Sequence, residues 1–191
     1  MGDLPSVDGE ISDVLQLYAS TNVPVAKPRL DREATEKVFW ELMRSVAGPG
    51  NVLHISCHGV SVPNEPMNSG LLLSDSKVDA AKIATAGIPF DEVVLSACST
   101  GWRPTAVEGV ALAADEILGI PAGFLEAGVK SVLVSIPQAE GRTARAFTTH
   151  YHAKRLLGEP PLASFRSAQQ YMLDSGAPAH TWAGFAMYGF A

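Results

Sequence analysis

Three short runs, Val52 to Ser56, Val93 to Ala97 and Val129 to Ile136, are apolar along their length rather than alternating in polarity. Strands of this kind need cover on both faces, which is the situation of a parallel sheet between two layers of helices. The stretches between and after them read as helices. Val38, Phe39, Leu42, Met43 and Val46 recur at helical spacing after Asp31, which can cap, and run to Gly48 and Gly50. Asp79 to Ala86 is Ala-rich and stops at Gly87 and Pro89. Ala111 to Ala127 is helical but broken by Gly119 and Pro121, and Thr143 to Leu157 and Pro161 to Leu173 predict two more helices. Gly70 to Ser74 reads as a short strand or hairpin arm, and Trp182 to Tyr188 as a final strand. The expected class is α/β, with a mostly parallel sheet.

Residues 1–22 carry weaker signals. Ile11 to Tyr18 can be read as a short strand or a helix, and the stretch is expected to be a weakly structured extension of a single domain spanning 23–191. A chain of 191 residues with 47% hydrophobic and 18% charged residues suits one packed domain. No repeat or low-complexity tract divides it. The net charge is −6, and the densest basic stretch, Lys27 to Lys37, is interleaved with Asp31, Glu33 and Glu36, so no nucleic-acid partner is expected. The longest apolar runs fall short of the roughly 20 residues that span a bilayer, so no membrane partner is expected either. Met1 to Ser6 formally fits a myristoylation consensus, but the pattern is short and common, and a plain tail is the simpler reading. Two cysteines in strand-like runs, without a disulfide-dense pattern, suit a reduced, cytoplasmic setting. The sequence has no Gly-rich phosphate loop of the usual kinds, and no cofactor is expected.

In a doubly wound sheet, ligands bind beyond the carboxyl ends of the strands. Two of the apolar strands end in a reactive residue followed closely by glycine: His54-Ile-Ser-Cys57-His58-Gly59, and Leu95-Ser-Ala-Cys98-Ser-Thr-Gly101. His58 and Cys98 are 40 positions apart, which leaves room for one crossover. If the strands are parallel neighbours, both residues emerge at one edge. A free thiol with a pKa of roughly 8.5 is mostly protonated at neutral pH, and an adjacent imidazole can take its proton and later protonate a leaving amine. The backbone N–H groups of Gly59 and Cys98 are candidates for an oxyanion site.

Other assignments compete. A cysteine at the end of an apolar strand can simply be a small buried hydrophobe. His54, Cys57, His58 and Cys98 have the residue types of a zinc site, but alternation along a strand puts Cys57 opposite His54 and His58, so no metal is expected. The same alternation counts against Cys57 as the nucleophile. His54 reads as a packed, supporting residue. Asp75 and Asp79 read as turn or helix caps, and His150 and His152 as a solvated helix face. Trp40, Trp102 and Trp182 read as core or loop anchors.

With these residues in view, the sequence resembles the CHAT family of caspase-like peptidases, which is often joined to helical repeats. The resemblance runs from about Leu30 to Ala191. It rests on the Cys57-His58-Gly59 element, on Gly70-Leu-Leu-Leu-Ser-Asp75, and on Leu95-Ser-Ala-Cys98-Ser-Thr-Gly101. Asp115 to Gly119, Phe124 to Gly128, Val132 to Ser135 and Trp182-Ala-Gly-Phe185 then follow in order. It implies a caspase-like three-layer sandwich with a mostly parallel six-stranded sheet. It also implies a cysteine endopeptidase with His58 as base and Cys98 as nucleophile, acting on protein or peptide substrates through a thioester. The substrate strand would pair near Val134 to Glu140 by addition to the sheet edge, making Ser135, Ile136, Pro137, Gln138 and Glu140 substrate-binding residues. Where many members carry Trp-Pro, this chain has Ile136-Pro137. The loop from Trp102 to Ala114 would be a processing loop, with Arg103 as a self-cleavage site. A basic preference would draw on Glu108, Asp115, Asp75 or Glu140, and an acidic one on Arg103 or Arg142. An activating protein or repeat domain would be a second partner. The alternative is a catalytically silent interaction module of the same fold.

Overall fold

The computed structural model describes residues 5–45, 50–62, 64–96, 106–107, 110–111, 119–135 and 141–189. The helices are α1 (Pro5–Ala19), α2 (Glu36–Arg44), α3 (Ala80–Ala84), α4 (Ile120–Glu126), α5 (Gly141–Leu156), α6 (Pro161–Asp174) and α7 (Ala179–Trp182). The strands are β1 (Val52–Ser56), β2 (His58–Val60), β3 (Gly70–Leu72), β4 (Lys77–Asp79), β5 (Glu92–Ser96), β6 (Ala106–Val107), β7 (Val110–Ala111), β8 (Ser131–Ser135) and β9 (Phe185–Gly189).

The three apolar runs are β1, β5 and β8, and they form the parallel heart of a sheet of order β1-β5-β8-β9. Only β9 runs antiparallel to its neighbour. Period-two alternation divides the side chains between two cores. Val93, Leu95, Val132 and Val134 pack with Phe39 and Met43 of α2, Ile83 of α3 and Phe124 of α4. Val94 and Leu133 point the other way, toward Phe147 and Tyr151 of α5, Ala168 and Met172 of α6, and Trp182. Helices therefore cover both faces, as the apolar strands require.

The expected six-stranded sheet is not what the described residues form, because the sheet has four strands. The chain bends at Cys57, leaving β1 and starting β2 in a separate antiparallel sheet with β3 and β4. β6 and β7 make a two-stranded ribbon of their own.

Local chemistry sets several boundaries. Thr35 caps α2 by accepting the Val38 N–H, while the Asp75 carboxylate accepts the Glu36 N–H at 2.8 Å. Asp75 is thus a cap, but for a helix 39 residues earlier in the chain rather than the next one. Gly119, at φ +84°, sits in the left-handed region that glycine tolerates and leads into α4. Within α4, Gly123 lies against the backbone of α3, where an added Cβ would fall 2.6 Å from the Ala80 carbonyl oxygen. The N-terminal stretch differs from its expectation, since most of it is α1. Glu10, Val14 and Tyr18, four residues apart, share the face that meets α5, and the Arg145 guanidinium grips the Asp13 carboxylate through both Nε and Nη2.

Candidate functional site

The register of β1 and β5 sets the geometry. Ser56, the last residue of β1, is the Cα partner of Ser96, the last residue of β5. The two parallel strands are therefore level with one another at Ser56 and Ser96. His58 follows Ser56 by two residues and opens β2, where its Cα pairs with Leu72; Gly59 pairs with Leu71. The His58 residue is half-buried. Cys98 follows Ser96 by two residues in sequence but lies outside the described residues, as do Trp102, Arg103, Glu108, Asp115, Ile136, Pro137, Gln138 and Glu140.

Beneath the two strand ends lies a buried polar cluster. His54, Ser56 and Ser96 reach the α5 side of the sheet, the side that takes Val94. Glu10 of α1, only 3% exposed, reaches in to meet them. Its Oε2 accepts from Ser96 Oγ at 2.8 Å and from Ser56 Oγ at 3.3 Å, and its Oε1 accepts from Thr148 Oγ1 at 2.7 Å. His54 Nε2 stands 3.4 Å from the same Oε1, near enough for charge attraction but without regular hydrogen-bond alignment. The His54 Nδ1 to His152 Nε2 distance is 2.9 Å, and His152 Nδ1 is 3.1 Å from the Tyr18 hydroxyl.

Electrostatics follow from this packing. Burial pushes the Glu10 carboxyl up, but the His54 ring and the hydrogen bonds from Thr148 and Ser96 outweigh it and hold the group below its ordinary value. Burial, then the neighbouring His54 and Arg155, pushes His152 well below the ordinary imidazole value. His152 is 1% exposed, so it is no solvated-face residue; it lies on the inner side of α5. His150 does reach outward, stacking on Tyr171 and contacting Ser167 Oγ at 3.3 Å.

Cys57 is a poor nucleophile. Burial pushes its thiol up to about 12, partly offset by a backbone hydrogen bond from Leu72; the thiol donates to the His58 carbonyl and packs on the α2–α3–α4 core. Among the described residues, no group of three or more His, Cys, Asp or Glu side chains is placed to hold a metal ion.

The substrate strand cannot add at Val134, because β8 is interior. Val134 already pairs with Leu95 on one side and Ala186 on the other, and the buried Ser135 is opposite Phe185. Only chain beyond Ser135 could serve. Arg142 lines a shallow cavity with Asp13, Arg145, His150 and Tyr171 on the α1–α5–α6 layer. Sequence reasoning missed Glu10 and the structural weight of His152. The signal for Glu10 was its four-residue spacing with Val14 and Tyr18.

No helix among the described residues is long and apolar enough to cross a membrane. A comparison with curated proteins finds no significant match. The family model of the CHAT domain matches residues 1–190, so α1 falls within the match. The chain belongs to the CHAT-domain family, a family related to the caspase-like cysteine peptidases.

Proposed function

We propose that the chain is a cysteine endopeptidase with Cys98 as nucleophile and His58 as general base. The observation that carries this reading is the register of two adjacent parallel strands, Ser56 opposite Ser96, with the imidazole and the thiol each two residues further on in sequence. Chain connectivity alone keeps each Cα within roughly 7 Å of its strand end. This is the carboxyl edge at which open α/β sheets bind ligands. The raised pKa of the Cys57 thiol and the engagement of His54 with His152 favour His58 and Cys98 as the pair for the chemistry.

In the reaction, His58 takes the Cys98 proton and the sulfur attacks the scissile carbonyl carbon. The tetrahedral oxyanion is held by the N–H groups of Gly59 and Cys98, each worth about 3 kcal/mol of barrier. The C–N bond then breaks, His58 protonates the leaving amine, and a thioester remains. Water, deprotonated by His58, hydrolyses the thioester and frees the sulfur. In this reading the substrate backbone is bound by the chain that follows Ser135, with Ile136, Pro137, Gln138 and Glu140 as the binding residues. A protein or peptide is the substrate, and an activating protein or repeat domain is a second partner.

The experiment is cleavage of a diverse peptide mixture by the native chain, with and without candidate partners, and by Cys98→Ala and His58→Ala. Both variants should keep the native circular dichroism spectrum and lose cleavage. Full cleavage by Cys98→Ala sinks the assignment. Failure of an alkylating peptide probe to label Cys98 under every condition would instead favour a silent interaction module.

A further inference from the structure

The structure assigns Glu10 a positioning role: its carboxylate ties the last residues of β1 and β5 to each other and to α1 and α5, fixing the strand ends from which His58 and Cys98 continue. The inference rests on the peptidase reading above. It concerns a residue 48 positions before His58, on a helix that the sequence did not mark as part of the site.

A carboxylate this far from water costs several kcal/mol unless its lone pairs are met. Here Oε2 takes both terminal serines of the parallel strands, at 2.8 and 3.3 Å, while Oε1 takes Thr148 and faces His54. A charge needed only to anchor α1 would be served by Asp13 on the same helix, in its half-buried pair with Arg145 of α5. Glu10 instead spends its contacts on the two strands whose continuations carry the proposed dyad. The one Ser56 hydroxyl proton is shared between this carboxylate and the Ser96 carbonyl at 3.2 Å, so the same group links the two strand ends. Fixed strand ends matter because a misplacement of about 1 Å can cost on the order of a hundredfold in rate.

The test uses the full chain with Glu10→Gln, which is nearly isosteric, and Ser96→Ala, which removes one donor and keeps the carboxylate. Three readouts are compared at a temperature where denaturation shows each variant folded: kcat and KM on a cleaved peptide, and the pH midpoint of Cys98 alkylation by a small haloacetamide. The expected result is a kcat lower by about tenfold or more with KM within about threefold, and an alkylation midpoint about one pH unit higher as the thiol loses its aligned imidazole. Deleting a negative charge would by itself lower that midpoint, so a rise reports alignment rather than charge. Unchanged kcat and midpoint in a folded variant overturn the role and leave the peptidase reading standing. A native chain that cleaves nothing, but whose Cys98 midpoint rises in both variants, overturns the peptidase reading and keeps the positioning role. Should Glu10→Gln not fold, Ser96→Ala decides by the same criteria.

Discussion

The His54 and His152 imidazoles meet at 2.9 Å, joining β1 to α5 through a single hydrogen bond in a site nearly closed to water. The pair sits between two oxygen groups from α1, the Glu10 carboxylate and the Tyr18 hydroxyl. A helix near the start of the chain and one near its end are thus bolted to the same strand.

Acid should loosen this joint. The His152 pKa lies well below the ordinary value of 6.5, with burial as the main cause. Above that value the ring is neutral in both folded and unfolded chains, and its stability contribution is fully present. Below it the unfolded chain takes up a proton that the folded chain refuses, so stability falls by up to about 1.4 kcal/mol per pH unit. Glu10, also depressed, adds a loss in the same direction at lower pH. Urea denaturation at pH 7.5, 6.0 and 5.0 should show the decline, and His152→Gln should flatten its upper part. An equally steep slope in that variant would refute the assignment.

Glu92 should be among the costliest polar residues to remove. It is 2% exposed and opens β5, where it accepts from the Tyr151 hydroxyl and, at 2.8 Å, from Arg155 Nε. Glu92→Ala takes away the carboxylate partner of the Arg155 guanidinium and of the Tyr151 phenol, and a loss of about 3 kcal/mol is expected in equilibrium unfolding. Tyr151→Phe, which removes one neutral partner, should cost about 1 kcal/mol.

Gly123→Ala should destabilise the protein although alanine suits a helix better than glycine by about 1 kcal/mol. The new methyl would press on the Ala80 carbonyl, which is backbone and cannot swing away. α4 must then move off α3, at an expected net cost of about 1–3 kcal/mol. A variant that melts at or above the parent temperature would show that the two helices tolerate the separation.

Cys57 should resist alkylation in the native protein at pH 7.5 and react only on denaturation, because its thiol is buried and pushed up to about 12. Peptide mapping by mass spectrometry reads this directly; modification of native Cys57 at the rate of a free thiol would contradict it.

The parallel strands were legible because buried strands have to be continuously apolar, and Val93-Val-Leu and Val132-Leu-Val leave little choice. α5 and α6 were legible within two residues at each end. The role of His152 was not, although Ala144, Phe147, Thr148, Tyr151 and His152 fall at i, i+3, i+4, i+7 and i+8, the spacing of a buried face. A histidine's polarity hid its place in that series, and only a partner from another element, His54, explains it. α1 was obscured because Asp8, Gly9, Glu10 and Asp13 dilute its apolar signal, and its stability comes from contacts with α5 that no local pattern encodes. The six strands implied by the resemblance are not found in one sheet among the described residues, where the bend at Cys57 starts β2 in a second sheet.

Synthesis runs from one end of the chain to the other, and Glu10 lies 138 residues ahead of Thr148. At about 5–20 residues per second, the helix bearing that carboxylate is synthesised roughly 7–28 s before its partner on α5. During that interval the first helix has no native surface on α5 to rest on, so this joint closes only after most of the central sheet has been synthesised.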